Sequence, residues 1–140
     1  MKLSIKRLSD QAILPRYQTD GSAGFDLHVV ENYVLKPGET QLLSTGLAFD
    51  IPHGYEIQIR PRSGLSAKTG LRVSNAPGTI DSDFKSEVKV IMHNVGSKFE
   101  VIDKGDRVAQ AVLAPVAQAE IVEVDEIVDT GRGGLGSTGR

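Results

Sequence analysis

Short runs in which apolar and polar residues alternate recur along this chain, and they constrain its fold more than any other feature. LSIKRL (3–8), YEIQIR (55–60), EVKVIMH (87–93), KFEVI (98–102), RVAQAVL (107–113) and AEIVEV (119–124) each repeat with a period of two. That period puts one side of a β-strand in a core and the other in water. In EVKVIMH it places Val88, Val90 and Met92 on one face, opposite Glu87, Lys89, Ile91 and His93. Asp20-Gly21, Pro37-Gly38, Pro52-His53-Gly54, Pro77-Gly78, Asn94-Val95-Gly96 and Lys104-Gly105 mark turns between the runs. A further strand is expected to begin near Asp26, and one or two helical turns fit around Gly64–Thr69. The pattern predicts an all-β distorted barrel or jelly roll with at most one short helix, and excludes a βαβ fold.

The 140 residues suit one domain, residues 1–128, with a flexible glycine-rich arm at 129–140. With no cysteine, disulfides, thiolate metal sites and cysteine nucleophiles are excluded. A formal net charge of -2 gives no overall attraction to nucleic acid or membrane. No apolar run suits a signal peptide or a membrane span, so a soluble cytoplasmic or other intracellular protein is expected. The tail DTGRGGLGSTGR contains Gly131-x-Gly133-x-x-Gly136, but only four residues follow Gly136, too few for the helix a dinucleotide fingerprint needs.

Five segments could carry chemistry, and each has an ordinary structural reading beside the functional one. Pro61-Arg62-Ser63-Gly64 offers a guanidinium, a hydroxyl and an unhindered amide suited to phosphate, or it is a polar turn. In Asn75-Ala76-Pro77-Gly78-Thr79-Ile80-Asp81-Ser82-Asp83-Phe84, free backbone groups could read a flat polar ligand. Asp81 could serve as a general base there and Phe84 could stack on a ring; the alternative is a plain β-turn. Asp26, flanked by Phe25 and Leu27, needs a partner: an arginine, an amide or a metal-bound water. In Gly105-Asp106-Arg107-Val108-Ala109-Gln110, unbroken alternation would put Gln110 on the face of Val108, where its amide could reach a phosphate. The tail, with Arg132, Ser137, Thr138 and many amides, could wrap a polyphosphate or simply fray. His28, His53 and His93 lie far apart in sequence, without ligand spacing, and read as surface or structural.

Taken together and in order, AGFDL (23–27), PRSGLSAKTGL (61–71), NAPGTIDSDF (75–84), GDRVAQ (105–110) and GLGSTG (134–139) resemble the motifs of the trimeric dUTPase family. The resemblance implies a homotrimeric jelly roll with active sites shared between subunits. It would hydrolyse dUTP to dUMP and pyrophosphate with Mg²⁺, without membrane or stable nucleic-acid binding. It implies that Asp26 holds Mg²⁺ through water, and that Arg62, Ser63, Gly64 and Gln110 bind phosphates. Asn75 with Gly78, Thr79 and Ile80 would read uracil, Asp81 would activate water for attack on the α-phosphate, and Phe84 would pack on the deoxyribose. Arg107 would support the site. Arg132, Leu135, Gly136, Ser137 and Thr138 would close over the substrate.

Three departures from the family pattern stand out. Phe84 replaces the usual Tyr, and Ser86 replaces a Gly, which would add strain if φ is positive there. In the tail, Arg132 is displaced relative to Ser137–Thr138, and Leu135 replaces an aromatic ring. Weaker arm closure is the expectation, with higher KM or lower kcat. Two alternatives are a fold relative with reduced catalysis and a regulatory protein-binding role, and a dCTP deaminase. The latter is disfavoured because Glu87 comes too early for that family's catalytic glutamate.

Overall fold

The structure is a computed structural model and describes residues 1–139. Eleven strands and one helix follow one another as β1 (Ser4–Arg7), β2 (Phe25–His28), β3 (Tyr33–Leu35), β4 (Thr40–Ser44), β5 (Leu47–Asp50), β6 (Tyr55–Arg60), α1 (Ser63–Lys68), β7 (Leu71–Val73), β8 (Gly78–Ile80), β9 (Lys89–Asn94), β10 (Glu100–Ile102) and β11 (Arg107–Pro115). They form a four-stranded sheet β2-β11-β6-β8, a three-stranded sheet β4-β9-β7, and the pairs β1-β5 and β10-β3. Every pairing is antiparallel. Neighbours in the sheets are mostly distant in sequence, the topology of a distorted jelly-roll barrel.

Alternation builds the core as expected. Phe25, Leu27 and Val29 point inward from the β2 run, and Val88, Val90 and Met92 from the β9 run. They meet Leu35, Leu43, Leu47, Ile57, Ile59 and Leu71. Phe25 stacks on Phe49 at 6.1 Å, and Tyr17 meets its edge at 5.5 Å. Each fully buried Leu or Phe contributes about 1.5–3 kcal/mol relative to exposure.

Three expectations change. AEIVEV (119–124) forms no strand: it has no pairing partner among the described residues, and Ile121 is 97% exposed. Among the described residues, the last backbone hydrogen bond to the body is Val116 N–H donating to Gly54 O, and residues beyond it are exposed. Second, β3, β4, β5, β7 and β8 add to the strands read from alternation. In β5, Leu47, Ala48 and Phe49 are all buried in succession, so no period of two exists there to be seen.

The third change is in β11. Its register shifts between Arg107 and Ala109, a β-bulge, and Val108 and Ala109 are both buried. Gln110 therefore does not share the inward face of Val108. The extra residue turns it outward, together with Arg107.

Candidate active site

The bulge matters because of what it gathers. Residues three apart on a regular strand face opposite ways. In β11, Arg107 and Gln110 instead both lie beside β2, where Arg107 pairs with His28 and Gln110 with Asp26. Gln110 also pairs with Arg60 at the end of β6, from which Pro61 and Arg62 lead into α1. Three strands thus converge at one end of the four-stranded sheet.

Asp26 is the anchor of this corner. Arg62 Nε donates to Asp26 Oδ1 at 2.9 Å, and Arg107 Nη1 lies 3.5 Å from Oδ2. Arg62 Nη1 also donates to Arg107 O at 3.4 Å. The Asp26 side chain is only 15% exposed, so its charge needs these partners. Two tethers leave several of the five guanidinium donors of Arg62 free for a ligand. Gln110 Nε2 donates to Pro61 O at 3.0 Å. Ser63 and Gly64 begin α1 and are exposed, with nothing within 4 Å of where a Gly64 side chain would start.

His28, set aside in the sequence as structural, belongs to the same corner. Its position two residues after Asp26 on one strand face was the available signal. Its Nδ1 is buried without a hydrogen-bond partner. Burial first, and then the positive charge of Arg107, lower its pKa below 6.5, so the ring is neutral near pH 7. With His28 neutral, two arginines against one aspartate leave an excess positive charge, which suits an anionic ligand. His93 is bonded elsewhere, with Nδ1 2.8 Å from Thr40 Oγ1.

A divalent cation has a restricted place here. No group of three or more His, Cys, Asp or Glu gathers as a metal cage among the described residues. Each Asp26 oxygen faces a guanidinium but keeps a lone pair. A carboxylate so placed would suit a cation held through its water shell.

The second group of residues lies elsewhere. Gly78 pairs with Ile59, Thr79 with Gln58 and Ile80 with Ile57, so Asp81 emerges level with Glu56. Gly78 packs under Asn75: a side chain there would begin 3.2 Å from Asn75 Nδ2 and 3.3 Å from Ile59 Cβ. Asp81 is exposed beside a 580 Å³ groove lined by His53, Tyr55, Glu56, Asp83 and Val116. Phe84 N–H donates to Asp81 O, and the Phe84 ring is 40% exposed. Lys85 Nζ meets Asp50 Oδ1 at 2.6 Å. Ser86 is not in the left-handed region, so it carries none of the strain considered for it.

Asp81 and Asp26 are therefore at opposite ends of the sheet. Four residue steps along β6 take Glu56 to Arg60, roughly 13 Å, and three strand spacings separate β8 from β2, roughly 14 Å. The chain gathers Asp26, Arg62 and Gln110, with Arg107 and His28, but not Asp81. Nor does it gather the tail. Arg132, Leu135, Gly136, Ser137 and Thr138 are exposed, and the tail's hydrogen bonds are local ones such as Ser137 Oγ to Gly133 O. No helix among the described residues is long and apolar enough to cross a membrane.

Residues 10–139 match the family model for dUTPase. The deoxyuridine 5'-triphosphate nucleotidohydrolase of Nautilia profundicola is 57% identical, covering 100% of each chain. That of Hydrogenobaculum sp. is 51% identical over 99% of each. Among solved structures, a variant Staphylococcus bacteriophage 80alpha dUTPase with dUpNHpp superposes with a TM-score of 0.88 at 28% identity, covering 99% of each chain. A variant dUTPase from phage phi11 of S. aureus, described with a structural Mg(II) ion, gives 0.87 at 26% identity, covering 92% of this chain and 100% of that one.

Proposed function

The chain belongs to the dUTPase family and is a dUTP diphosphatase, and on that premise we propose how its residues divide the hydrolysis of dUTP. The observation that carries the reading is the corner around Asp26, which holds two guanidinium groups in fixed positions with excess positive charge. A triphosphate repels an incoming nucleophile, so screening charge must be in place before water attacks. Arg62, with Ser63, Gly64 and Gln110, binds the phosphates, and Arg107 braces Arg62 through its carbonyl. Mg²⁺, when bound through waters on Asp26 and through the phosphates, supplies further neutralisation.

Asp81 orients a water and takes its proton as that water's oxygen bonds to the α-phosphorus; the bond to pyrophosphate breaks, leaving dUMP. Asn75 and the backbone of Gly78, Thr79 and Ile80 read uracil, and Phe84 packs on the deoxyribose. The separation of Asp81 from Arg62 within one chain supports a site assembled between copies, in a homotrimer. The arm at 129–140 then closes on the body at 1–128, with Arg132, Leu135, Gly136, Ser137 and Thr138 over the substrate, expelling water.

Deamination of dCTP is disfavoured for a local reason. Glu87 Oε1 accepts from Gly46 N–H at 3.0 Å, and the residue lies before β9, so it already serves a structural bond.

The direct test is pyrophosphate release from dUTP with Mg²⁺. Asp81→Asn should lower kcat by about 10²–10⁴-fold, the usual contribution of a general base, without changing the melting temperature. Unchanged kcat would remove Asp81 from the chemistry.

A further inference from the structure

Gly24 stands just before β2, beside the corner. It is not among the residues with positive φ, so glycine is not required there for conformation. It supplies space instead. A side-chain carbon on Gly24 would begin 2.8 Å from Gln110 Oε1, 3.0 Å from Ala111 O and 3.1 Å from Val112 Cγ2. The first of these is closer than real carbon contacts allow.

The other end of the Gln110 amide is also fixed. Its nitrogen donates to Pro61 O at 3.0 Å. A carbonyl can only accept, so the nitrogen must face Pro61 and the oxygen is left over Gly24. The amide is wedged between a bare backbone and the peptide that leads into Arg62. Of the three crowded atoms, Gln110 Oε1 is the free end of a flexible side chain and would give way before the Ala111 backbone, and in moving it would draw the amide off its bond to Pro61.

We propose that Gly24 is a positioning residue for Gln110. Its missing side chain sets where the amide lies. The amide in turn steadies the Pro61–Arg62 peptide and directs its second N–H at the phosphates. The proposal rests on the reading of Gln110 as a phosphate-binding group.

A double-mutant cycle tests it on the full-length enzyme with dUTP and Mg²⁺, combining Gly24→Ala, Gln110→Ala and both, with thermal melts of each. Gly24→Ala should raise KM about tenfold with a smaller change in kcat, as a misplaced binding group does. On the Gln110→Ala background the same change should cost less than about twofold, because the displaced group is gone. The melting temperature should fall on both backgrounds, since Ala111 O and Val112 stay crowded.

Equal losses of kcat/KM on both backgrounds would mean that Gly24 acts by packing alone, and would overturn the proposal while Gln110 keeps its role. An unchanged KM in Gln110→Ala would overturn both. Gln110→Asn gives a check that does not depend on Gly24→Ala folding. Shortening the side chain draws the amide away from Gly24 and Pro61, so KM should rise as in Gln110→Ala. A wild-type KM in Gln110→Asn would overturn the wedge.

Discussion

The two ends of the β2-β11-β6-β8 sheet are built differently. At one end, Asp26 is mostly buried and faces Arg62 and Arg107, and Gln110 is bonded to Pro61. At the other, Asp81 is exposed beside an open groove. The contrast fits a division of labour. Groups that hold a polyphosphate gain from being fixed in advance, because little ordering is left to oppose binding. A base that must meet a water gains from an accessible position. The tail lies beyond both extremes: exposed, glycine-rich and bonded only to itself.

The contrast is broken most severely at its fixed end. Asp26→Asn removes the charge that holds two guanidinium groups, so kcat/KM should fall by about 10²-fold, as a misplaced catalytic constellation does. Steady-state kinetics with dUTP would check this. Circular dichroism should still report a β-rich fold, because the β2 core residues are untouched.

Removing residues 129–140 should lower kcat/KM by about tenfold to 10²-fold through loss of substrate closure. Differential scanning calorimetry should find the melting temperature unchanged, since residues 129–139 make no hydrogen bond to the body.

Leu135→Phe sharpens the contrast from the side of the tail. Leu135 is fully exposed, at a φ of 29°. A ring there adds a face that can stack on uracil, and such contacts are worth about 0.5–1.5 kcal/mol, so KM should fall a few-fold. A rise in KM on titration with dUTP would count against Leu135 as the covering residue.

His28→Gln is expected to have the smallest effect. The folded state lowers the His28 pKa below 6.5, mainly by burial, so the unfolded chain binds the proton more tightly. Stability from this source is complete above pH 6.5 and is lost as pH falls below it. Melting temperatures measured between pH 7.5 and 5, as a bracket around the ordinary histidine pKa of about 6.5, should drop less steeply in the variant.

Much of this was legible in the sequence, for physical reasons. The runs at β6 and β9 alternate because each has one wet face, and their buried residues are the ones the period selected; in β11 the bulge breaks the period, burying Ala109 and Ala111. Leu47, Ala48 and Phe49 of β5 hid a strand because all three are buried. AEIVEV has the right period but no partner among the described residues of the chain, and period alone cannot supply one. Asp26, Arg62 and Gln110 were legible as candidates from residue type and motif order. Their meeting was not, because it depends on a bulge at Val108–Ala109 that two buried apolar residues do not announce. His28 was read as structural because no other histidine stands at a ligand spacing from it. Its place two residues from Asp26 acquires meaning only beside Arg107.

The most direct test of a site shared between copies is complementation. Asp81→Asn and Arg62→Ala chains, each expected to be severely impaired alone, can be co-expressed with different tags and purified through both. If Asp81 of one copy serves Arg62 of another, mixed oligomers contain sites with both native residues, and pyrophosphate release from dUTP should reappear at a substantial fraction of the wild-type rate. Turnover that stays at the level of the parent variants, in oligomers shown to carry both tags, would contradict a shared site.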